Sequence, residues 1–333
     1  MSTLHLVDPE LLPMIEARRA LVLTKKTLPT VRKEFVEMRR LMAAQVPARS
    51  DVVVTEKHLP GPKGAPKVRV LIYQPKKPQG LMSGYLHIHG GGYVVGEPEI
   101  AMPRNQLYAG ELNCTVVSVD YRLSPETAFP GPVEDCYAAL KWLHANADAL
   151  GVDKDRIAIG GESAGGGLAA GLGLLTRDRG KIKLCHQQLI YPMIDDRSAV
   201  AKHPVAGEFI WNKNANHFGW SAMLGHPPGR AKESPYVAAA RAKDVSGLPP
   251  TYISTGALDL FLEENLEYAR RLMRAGVPVE LHVYPGAIHG FDGVPSSRLA
   301  KQHARDQLEA LRQAFKPKVV TAAKPGKRAK SKG

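Results

Sequence analysis

Apolar and polar residues recur along the chain with two different periods, and these periods outline the elements of the fold. Between residues 10 and 45, side chains such as Val31, Phe35 and Met38 recur at helical spacing, which predicts two helices broken near Pro29. Beyond this region, short apolar runs predict strands over 51–54, 68–74, 85–89, 115–121, 157–160, 188–193, 251–255 and 279–284. Longer apolar-periodic stretches predict helices over 133–150, 164–176, 262–275 and 297–315.

Strands that alternate with helices are typical of an α/β fold, in which helices cover both faces of a mostly parallel sheet. The two N-terminal helices precede every strand, so we predict that residues 1–48 form an added element outside the sheet. The sheet and its helices are predicted to form one domain over 49–315, with an irregular insertion at about 195–247.

The predicted insertion is rich in aromatic residues. It contains Phe209, Trp211, Phe218 and Trp220, whereas only 6% of the whole chain is aromatic. Such a cluster serves either the packing of a small cap or the lining of an apolar pocket, and the pattern alone is compatible with both.

The formal net charge of +13 is unevenly distributed along the chain. Seven positive charges and no acidic residue lie in residues 316–333, which leaves +6 for residues 1–315. The prolines and glycine among these charges predict a disordered tail. Solubility is the simpler interpretation of the tail; an anchor for nucleic acid or another acidic surface is the alternative, and nucleic-acid binding rests on the tail alone.

The cysteines and the hydropathy exclude several other classes. Cys114, Cys136 and Cys185 have no metal-ligand spacing and are odd in number, which predicts reduced thiols and no metal site. No apolar run approaches the roughly 18 residues that a membrane-spanning helix needs. The first residues lack the basic start and long apolar core of a secretory signal, so we expect a cytoplasmic protein.

Two glycine-rich segments carry the candidate chemistry. A G-x-S-x-G motif at 161–165 stands between a predicted strand and a helical stretch, which is the context of a nucleophile elbow. A sharp turn there would expose the hydroxyl of Ser163, and the two glycines would leave room for neighbouring backbone. Glu162 occupies the free position of the motif and is predicted to be structural.

The second segment is His-Gly-Gly-Gly at 89–92, directly after a predicted strand. Its backbone N–H groups are free of side chains and can approach a developing oxyanion. We predict an oxyanion hole formed by the N–H groups of Gly91, Gly92 and Ala164, with Gly90 as a further candidate. His89 and Gly90 are predicted to position this turn.

A serine nucleophile needs a base, and that base needs an acid to orient it. Asp259 follows the seventh predicted strand and His289 follows the eighth, so both lie at carboxyl ends of strands, where open α/β sheets bind their ligands. Ser163, Asp259 and His289 therefore have the residue types, the chain order and the context of a catalytic triad.

Other side chains are less well placed for these roles. His87 and His282 lie inside predicted strands, and His303 lies on the last predicted helix. Glu263 and Glu264 lie one turn into the helix after the candidate aspartate and are poorer candidates for the acid.

Five segments match one family pattern: HGGGYVVG at 89–96, DYRLSPE at 120–126, FP at 129–130 with ED at 134–135, GESAGG at 161–166 and HGF at 289–291. In these the chain resembles the hormone-sensitive-lipase-like family of α/β-hydrolases, in its bacterial esterase branch, from about residue 50 to 315. The family's acid segment usually reads D-P-L-x-D-E; the DLFLEE at 259–264 keeps the acids and lacks the proline.

The resemblance implies an α/β-hydrolase core, a cap made by the N-terminal helices and the insertion, and carboxylester hydrolysis without a cofactor. It also implies that Arg122, Glu126, Glu134 and Asp135 are structural and tie the loop after the strand at 115–121 to the neighbouring helix.

A cap over the serine predicts a finite, apolar pocket for short- to medium-chain acyl groups and small aromatic or alicyclic alcohols, hydrolysed through an acyl-enzyme. An amidase, deacetylase or thioesterase is the alternative, because the fold and the triad do not determine the leaving group. A small-molecule receptor without catalysis is a remote alternative, since all three triad candidates are present. The expected partner is a small ester; the oligomeric state is open, with a homodimer among the options.

Overall fold

An eight-stranded sheet forms the centre of the computed structural model, which describes residues 2–17, 22–44 and 46–317. Its strands are β1 (Val52–Leu59), β2 (Val68–Pro75), β3 (Met82–Ile88), β4 (Cys114–Asp120), β5 (Val152–Glu162), β6 (His186–Ile190), β7 (Thr251–Gly256) and β8 (Val279–Tyr284). Their spatial order is β1-β2-β4-β3-β5-β6-β7-β8. Only the β1–β2 and β2–β4 pairs are antiparallel, which confirms the mostly parallel sheet.

Eight α-helices connect or flank these strands within the described residues. They are α1 (Leu12–Ala17), α2 (Leu28–Ala44), α3 (Met102–Leu112), α4 (Gly131–Ala145), α5 (Ala164–Arg179), α6 (Lys213–Leu224), α7 (Leu262–Arg274) and α8 (Arg298–Ala314). Alternate residues of β4 belong to different cores: Val117 and Val119 belong to the apolar cluster that includes residues of α4, α5 and α7, whereas Val116 belongs to the cluster that includes residues of α3 and α8. Helices therefore cover both faces of the sheet.

Two of these helices are missing from the sequence-based prediction. The buried side of α3 includes Asn105 and Gln106, so its hydrophobic periodicity is weak. The insertion predicted as irregular contains α6, whose N-cap Asn212 accepts a hydrogen bond from the N–H of Ala215 and whose C-cap is Gly225 in a left-handed conformation. Pro29 does not break a helix; it lies in the first turn of α2, where a proline is tolerated.

The N-terminal segment contacts the loop after β8. The N–H of Asp8 donates to the carbonyl of Gly286, and the fully buried Leu11 belongs to the same apolar cluster as Ile288 and Phe291. The segment thus supports the loop after β8.

Ion pairs change the predicted roles of the charged residues after β4. Arg122 and Asp135 form the expected tie, with a 2.7 Å contact between the loop and α4. Glu126 instead pairs with Arg32 of α2 at 2.7 Å, and Glu134 pairs with Arg179 of α5 at 2.5 Å. The prediction that all four tie this loop to one helix is therefore wrong for the two glutamates.

Three further predictions concern the basic C-terminal tail, membrane-spanning helices and the cysteines. Apart from Lys316 and Pro317, the predicted basic tail at 316–333 lies outside the described residues. Across residues 2–17, 22–44 and 46–317, no helix combines the length and hydropathy that a bilayer crossing needs. Cys114 and Cys136 are buried thiols, whereas Cys185, which was predicted to resemble them, is only partly buried.

Candidate active site

Ser163 lies on a strained turn between the central strand β5 and helix α5. Its backbone has φ 55° and ψ −120°, a region that side chains rarely adopt, so the turn lifts the hydroxyl away from the sheet. The turn also lies against the end of β3: a Cβ atom at Gly165 would be 2.1 Å from the carbonyl oxygen of Ile88. Glycine is required there because any side chain would collide with this backbone.

The loops after β5, β7 and β8 bring the three predicted triad residues together. The Oγ atom of Ser163 lies 2.9 Å from Nε2 of His289, and Nδ1 of His289 lies 2.8 Å from Oδ2 of Asp259. A carboxylate can only accept hydrogen bonds, so the Nδ1 atom of His289 carries a proton. In the neutral ring, Nε2 is then the acceptor that faces the serine hydroxyl.

Asp259 is held by its own loop. It is fully buried, and its second carboxylate oxygen accepts a 2.9 Å hydrogen bond from the N–H of Phe261. The loop is joined to the histidine loop, because the N–H of Leu258 donates to the carbonyl of Ala287.

The competing carboxylates do not reach the histidine ring. Glu263 is exposed, and Glu264 is buried and accepts hydrogen bonds from the N–H groups of Ile194 and Asp195 at 2.7 and 3.2 Å. Burial raises the pKa of Glu264 well above its usual range. Glu264 therefore joins α7 to the segment that follows β6.

The glycine loop at 89–92 lies beside the serine. A Cβ atom at Gly90 would be 3.4 Å from the Cβ of Ser163. The carbonyl of Gly91 accepts from the N–H groups of Val94 and Val95, while in the described chain no backbone carbonyl accepts from the N–H of Gly91 or Gly92. These two N–H groups are therefore available to a ligand at this loop.

His89 anchors the start of this loop. Its Nδ1 donates to the carbonyl of Gly90 at 2.8 Å, and its ring stacks on Tyr121 with centroids 4.3 Å apart. The hydroxyl of Tyr121 also donates to the carbonyl of His89 at 2.9 Å. Burial lowers the pKa of His89, which keeps the ring neutral.

A cavity of about 1060 Å³ opens onto Ser163 and His289. One wall comes from α2, through Val31, Phe35 and Met38, and another comes from the insertion, through Phe209 and Trp211. Phe218 and Trp220, the other two residues of the predicted aromatic cluster, do not line the cavity. Trp220 is fully buried against Tyr93, and Phe218 packs on the same core, so the cluster serves both packing and pocket lining.

A charged group next to Ser163 was not predicted from the sequence. Arg104 of α3 contacts the carboxylate of Glu162 at 2.6 Å, and Nε2 of His87 lies 3.1 Å from the same carboxylate oxygen. Because α3 was not predicted, no signal pointed to Arg104. Burial alone would raise the pKa of Glu162, but the charge of Arg104 and the contact with His87 hold it well below its usual range.

Comparison with known proteins agrees with the α/β fold described above. A family model described as alpha/beta hydrolase fold matches residues 85–293. An arylesterase of Saccharolobus solfataricus is 35% identical over 230 residues, which are 68% of this chain and 73% of that protein. The esterase LipI of Mycobacterium tuberculosis is 31% identical over 314 residues, which are 92% of this chain and 94% of that protein.

Solved structures extend the similarity to nearly the whole chain. A bacterial heroin esterase is 38% identical, with a TM-score of 0.90 over 95% of this chain and 100% of that one. The esterase LipW of Mycobacterium marinum is 32% identical, with a TM-score of 0.84 over 94% of this chain and 98% of that one. The chain therefore belongs to the hormone-sensitive-lipase-like family of α/β-hydrolases. It is a carboxylic ester hydrolase with a Ser-Asp-His arrangement.

Proposed function

We propose that Ser163, His289 and Asp259 are the catalytic triad of a serine carboxylesterase that works through an acyl-enzyme. The observation that carries the proposal is the unbroken line of hydrogen bonds from Ser163 Oγ through the imidazole to Asp259. The same three residues stand at the carboxyl ends of β5, β7 and β8, where their residue types, chain order and context predicted them.

In the proposed acylation, Ser163 Oγ attacks the ester carbonyl while Nε2 of His289 takes the hydroxyl proton. The carbonyl oxygen becomes an oxyanion, and the imidazolium is stabilised by Asp259. When the tetrahedral intermediate collapses, the C–O bond to the alcohol breaks and His289 returns the proton to the leaving alkoxide. Water then attacks the acyl-enzyme by the same route, which releases the acid and restores the serine.

The oxyanion would be bound by the N–H groups of Gly91, Gly92 and Ala164. Support comes from the position of the glycine loop against Ser163 and from the absence of backbone acceptors for the N–H of Gly91 and Gly92 in the described chain. Donors already aimed at the developing charge need no reorganisation during the reaction.

The substrate size follows from what encloses the cavity. We infer that α2 and the insertion act as a cap, because both supply cavity-lining side chains above the serine. A cavity of about 1060 Å³ suits short- to medium-chain acyl groups or small aromatic and alicyclic esters better than an extended triglyceride.

The test uses p-nitrophenyl esters of increasing acyl length and a serine-reactive phosphonate. We expect Ser163→Ala to lower kcat by roughly 10⁴-fold or more, and the phosphonate to attach to Ser163. The chain offers a matched control, because Ser254 Oγ also lies 2.9 Å from a histidine nitrogen, that of His303, away from the nucleophile elbow. Labelling of Ser254, or an active Ser163→Ala variant, would contradict the proposal.

The expectations about location, partners and oligomeric state stay predictions. They are a cytoplasmic location, a small ester rather than nucleic acid as the partner, and a homodimer among the options. Gel filtration with light scattering tests the last of these directly.

A further inference from the structure

The cavity beside Ser163 has a polar corner that the proposed ester hydrolysis does not use. It is formed by Arg104, Tyr191 and Asp292, which all line the cavity. The side chains of Arg104 and Asp292 remain 22% and 24% exposed, so the pair faces the open cavity and is not sealed in the core.

The two terminal nitrogens of Arg104 have different surroundings. Its Nη2 atom contacts Glu162 at 2.6 Å and lies 3.4 Å from Nε2 of His87. Its Nη1 atom faces Oδ2 of Asp292 at 3.8 Å, which is too long for a hydrogen bond. The charge of Arg104 is therefore balanced by Glu162, while the Nη1 protons facing Asp292 lack a direct hydrogen bond to it.

The two carboxylate oxygens of Asp292 likewise differ in their hydrogen bonds. Its Oδ1 atom accepts a 2.7 Å hydrogen bond from the hydroxyl of Tyr191, whereas Oδ2 lies 4.0 Å from Nδ1 of His303. The Tyr191 ring packs edge-on against His289, with centroids 5.0 Å apart, so this corner adjoins the catalytic base.

His303 presents a proton toward the same carboxylate. The amide of Gln307 is oriented because its Oε1 accepts from the hydroxyl of Tyr108 at 2.9 Å, which directs its Nε2 to donate to Nε2 of His303 at 2.8 Å. The ring proton of neutral His303 therefore lies on Nδ1. Burial lowers the pKa of His303 to about 4, so the ring is uncharged near neutral pH and does not neutralise Asp292.

We propose that the gap between Arg104 and Asp292 binds a hydroxyl group of the substrate, so that the enzyme prefers hydroxylated esters. The proposal rests on the proposed serine esterase function of the same cavity. Two atoms 3.8 Å apart can both lie about 2.8 Å from a single oxygen. A hydroxyl at this point donates to Asp292 Oδ2 and accepts from Arg104 Nη1, and it is the smallest group that does both.

Other groups fit this gap less well. A carbonyl oxygen accepts only and leaves Oδ2 of Asp292 without a donor. An ammonium group would lie beside the guanidinium of Arg104, and a carboxylate would lie beside Asp292 and Glu162, so both meet a like charge. The apolar remainder of the substrate would lie against Val31 and Phe35 of α2.

The experiment compares two pairs of esters in which a hydroxyl replaces a methyl group of similar size. Ethyl 3-hydroxybutyrate is paired with ethyl isovalerate for the acyl side, and 2-hydroxyethyl butyrate with n-propyl butyrate for the alcohol side. Titration of the released acid gives kcat/KM for each ester. We expect the hydroxyl member of at least one pair to be favoured about tenfold, because hydrogen bonds to charged groups are the stronger ones.

Asp292→Ala should reduce that ratio to near one. Asp292→Asn keeps an acceptor and the shape of the side chain, so its ratio should be intermediate, and it carries the test if the alanine variant does not fold. Asp306→Ala is the matched control, since Asp306 also accepts a 2.7 Å hydrogen bond from a tyrosine, Tyr284, and is also 24% exposed. Its ratio should equal that of the wild type.

The outcomes separate this proposal from the one on which it rests. A wild type that hydrolyses all four esters without preferring a hydroxyl, or a preference that survives in both Asp292 variants, overturns the hydroxyl site and leaves the serine esterase standing. A Ser163→Ala variant that still hydrolyses these esters overturns the proposed function instead.

Discussion

The indole ring of Trp211 lies directly over Gly92, so closely that a Cβ atom at position 92 would be 2.1 Å from the ring carbon Cη2. Trp211 comes from the insertion between β6 and β7, and Gly92 from the loop after β3. The indole Nε1 donates to Asn216 of α6 at 3.2 Å, which keeps the ring in this place. The insertion therefore presses on the proposed oxyanion loop itself.

Gly92→Ala should lower kcat by on the order of 10²-fold while KM changes much less, because the loop must shift where its N–H binds the oxyanion. Gly92 has φ 59°, so the substitution also carries a backbone cost of about 1 kcal/mol. Steady-state kinetics on a short p-nitrophenyl ester measures both constants.

Two further variants separate the causes. Gly64 has φ 79° with nothing within 4 Å of an added Cβ, so Gly64→Ala controls for backbone strain alone. Adding Trp211→Leu to Gly92→Ala should restore part of kcat by removing the collision. A raised KM with kcat intact would mean that the loop shapes the pocket and does not stabilise the transition state.

Asp259→Asn should leave the fold intact and lower kcat by about 10²- to 10⁴-fold, because an amide can donate to His289 and favour the wrong tautomer. Glu264→Gln is the control: the side chain accepts two backbone hydrogen bonds, which the amide oxygen can keep accepting. If Glu264→Gln were the more damaging change, Asp259 would not be the orienting acid.

The residues of the proposed triad could be selected from the sequence because the patterns that mark them are local. The elbow is defined by Ser163 and two nearby glycines, and Asp259 and His289 each follow a recognisable strand within five residues. Chain order then selects among the remaining acids and histidines.

The surroundings of the triad depend on contacts between distant segments, which local patterns do not encode. Arg32 and Glu126 are 94 residues apart in the chain, yet they join α2 to the loop after β4. Arg104 contacts Glu162 from α3, whose buried side includes Asn105 and Gln106. The sequence pattern therefore predicted neither this helix nor the ion pair.

Acid stability should depend on His186, which is buried at the start of β6. Burial lowers its pKa from 6.5 to about 4, despite a contact with Gln188 that works in the opposite direction. Between these values the unfolded chain binds the proton and the folded chain does not. The contribution of His186 to the free energy of unfolding is therefore fully present above pH 6.5. It is lost as the pH falls to about 4, and the loss is about 3 kcal/mol at most.

Urea unfolding at several pH values checks this. The free energy of unfolding of His186→Gln should fall less between pH 7 and 4 than that of the wild type, whatever the absolute stability of the variant. The same change at exposed His58 should keep the wild-type slope. Parallel slopes for the wild type and His186→Gln would show that the pKa of His186 is not lowered in the folded protein.

The size limit on the acyl group can be tested without removing the cap. Deleting residues 1–45 would also remove the buried Leu11, which belongs to the same apolar cluster as Ile288, the neighbour of His289 in the chain, so a loss of activity would have two causes. Met38→Ala is cleaner, because Met38 lines the cavity from α2, and Glu37→Ala on the exposed side of the same helix is its control. In the wild type, rates should fall beyond roughly eight acyl carbons.

Met38→Ala should move this fall to longer acyl chains, because the shortened side chain opens the wall that α2 gives to the cavity. Glu37→Ala should keep the wild-type profile. Measuring kcat/KM across the p-nitrophenyl series from acetate to palmitate gives both profiles. Unchanged selectivity in Met38→Ala would mean that the acyl chain does not lie against α2, and efficient hydrolysis of emulsified triolein by the wild type would mean that the cap does not limit substrate size at all.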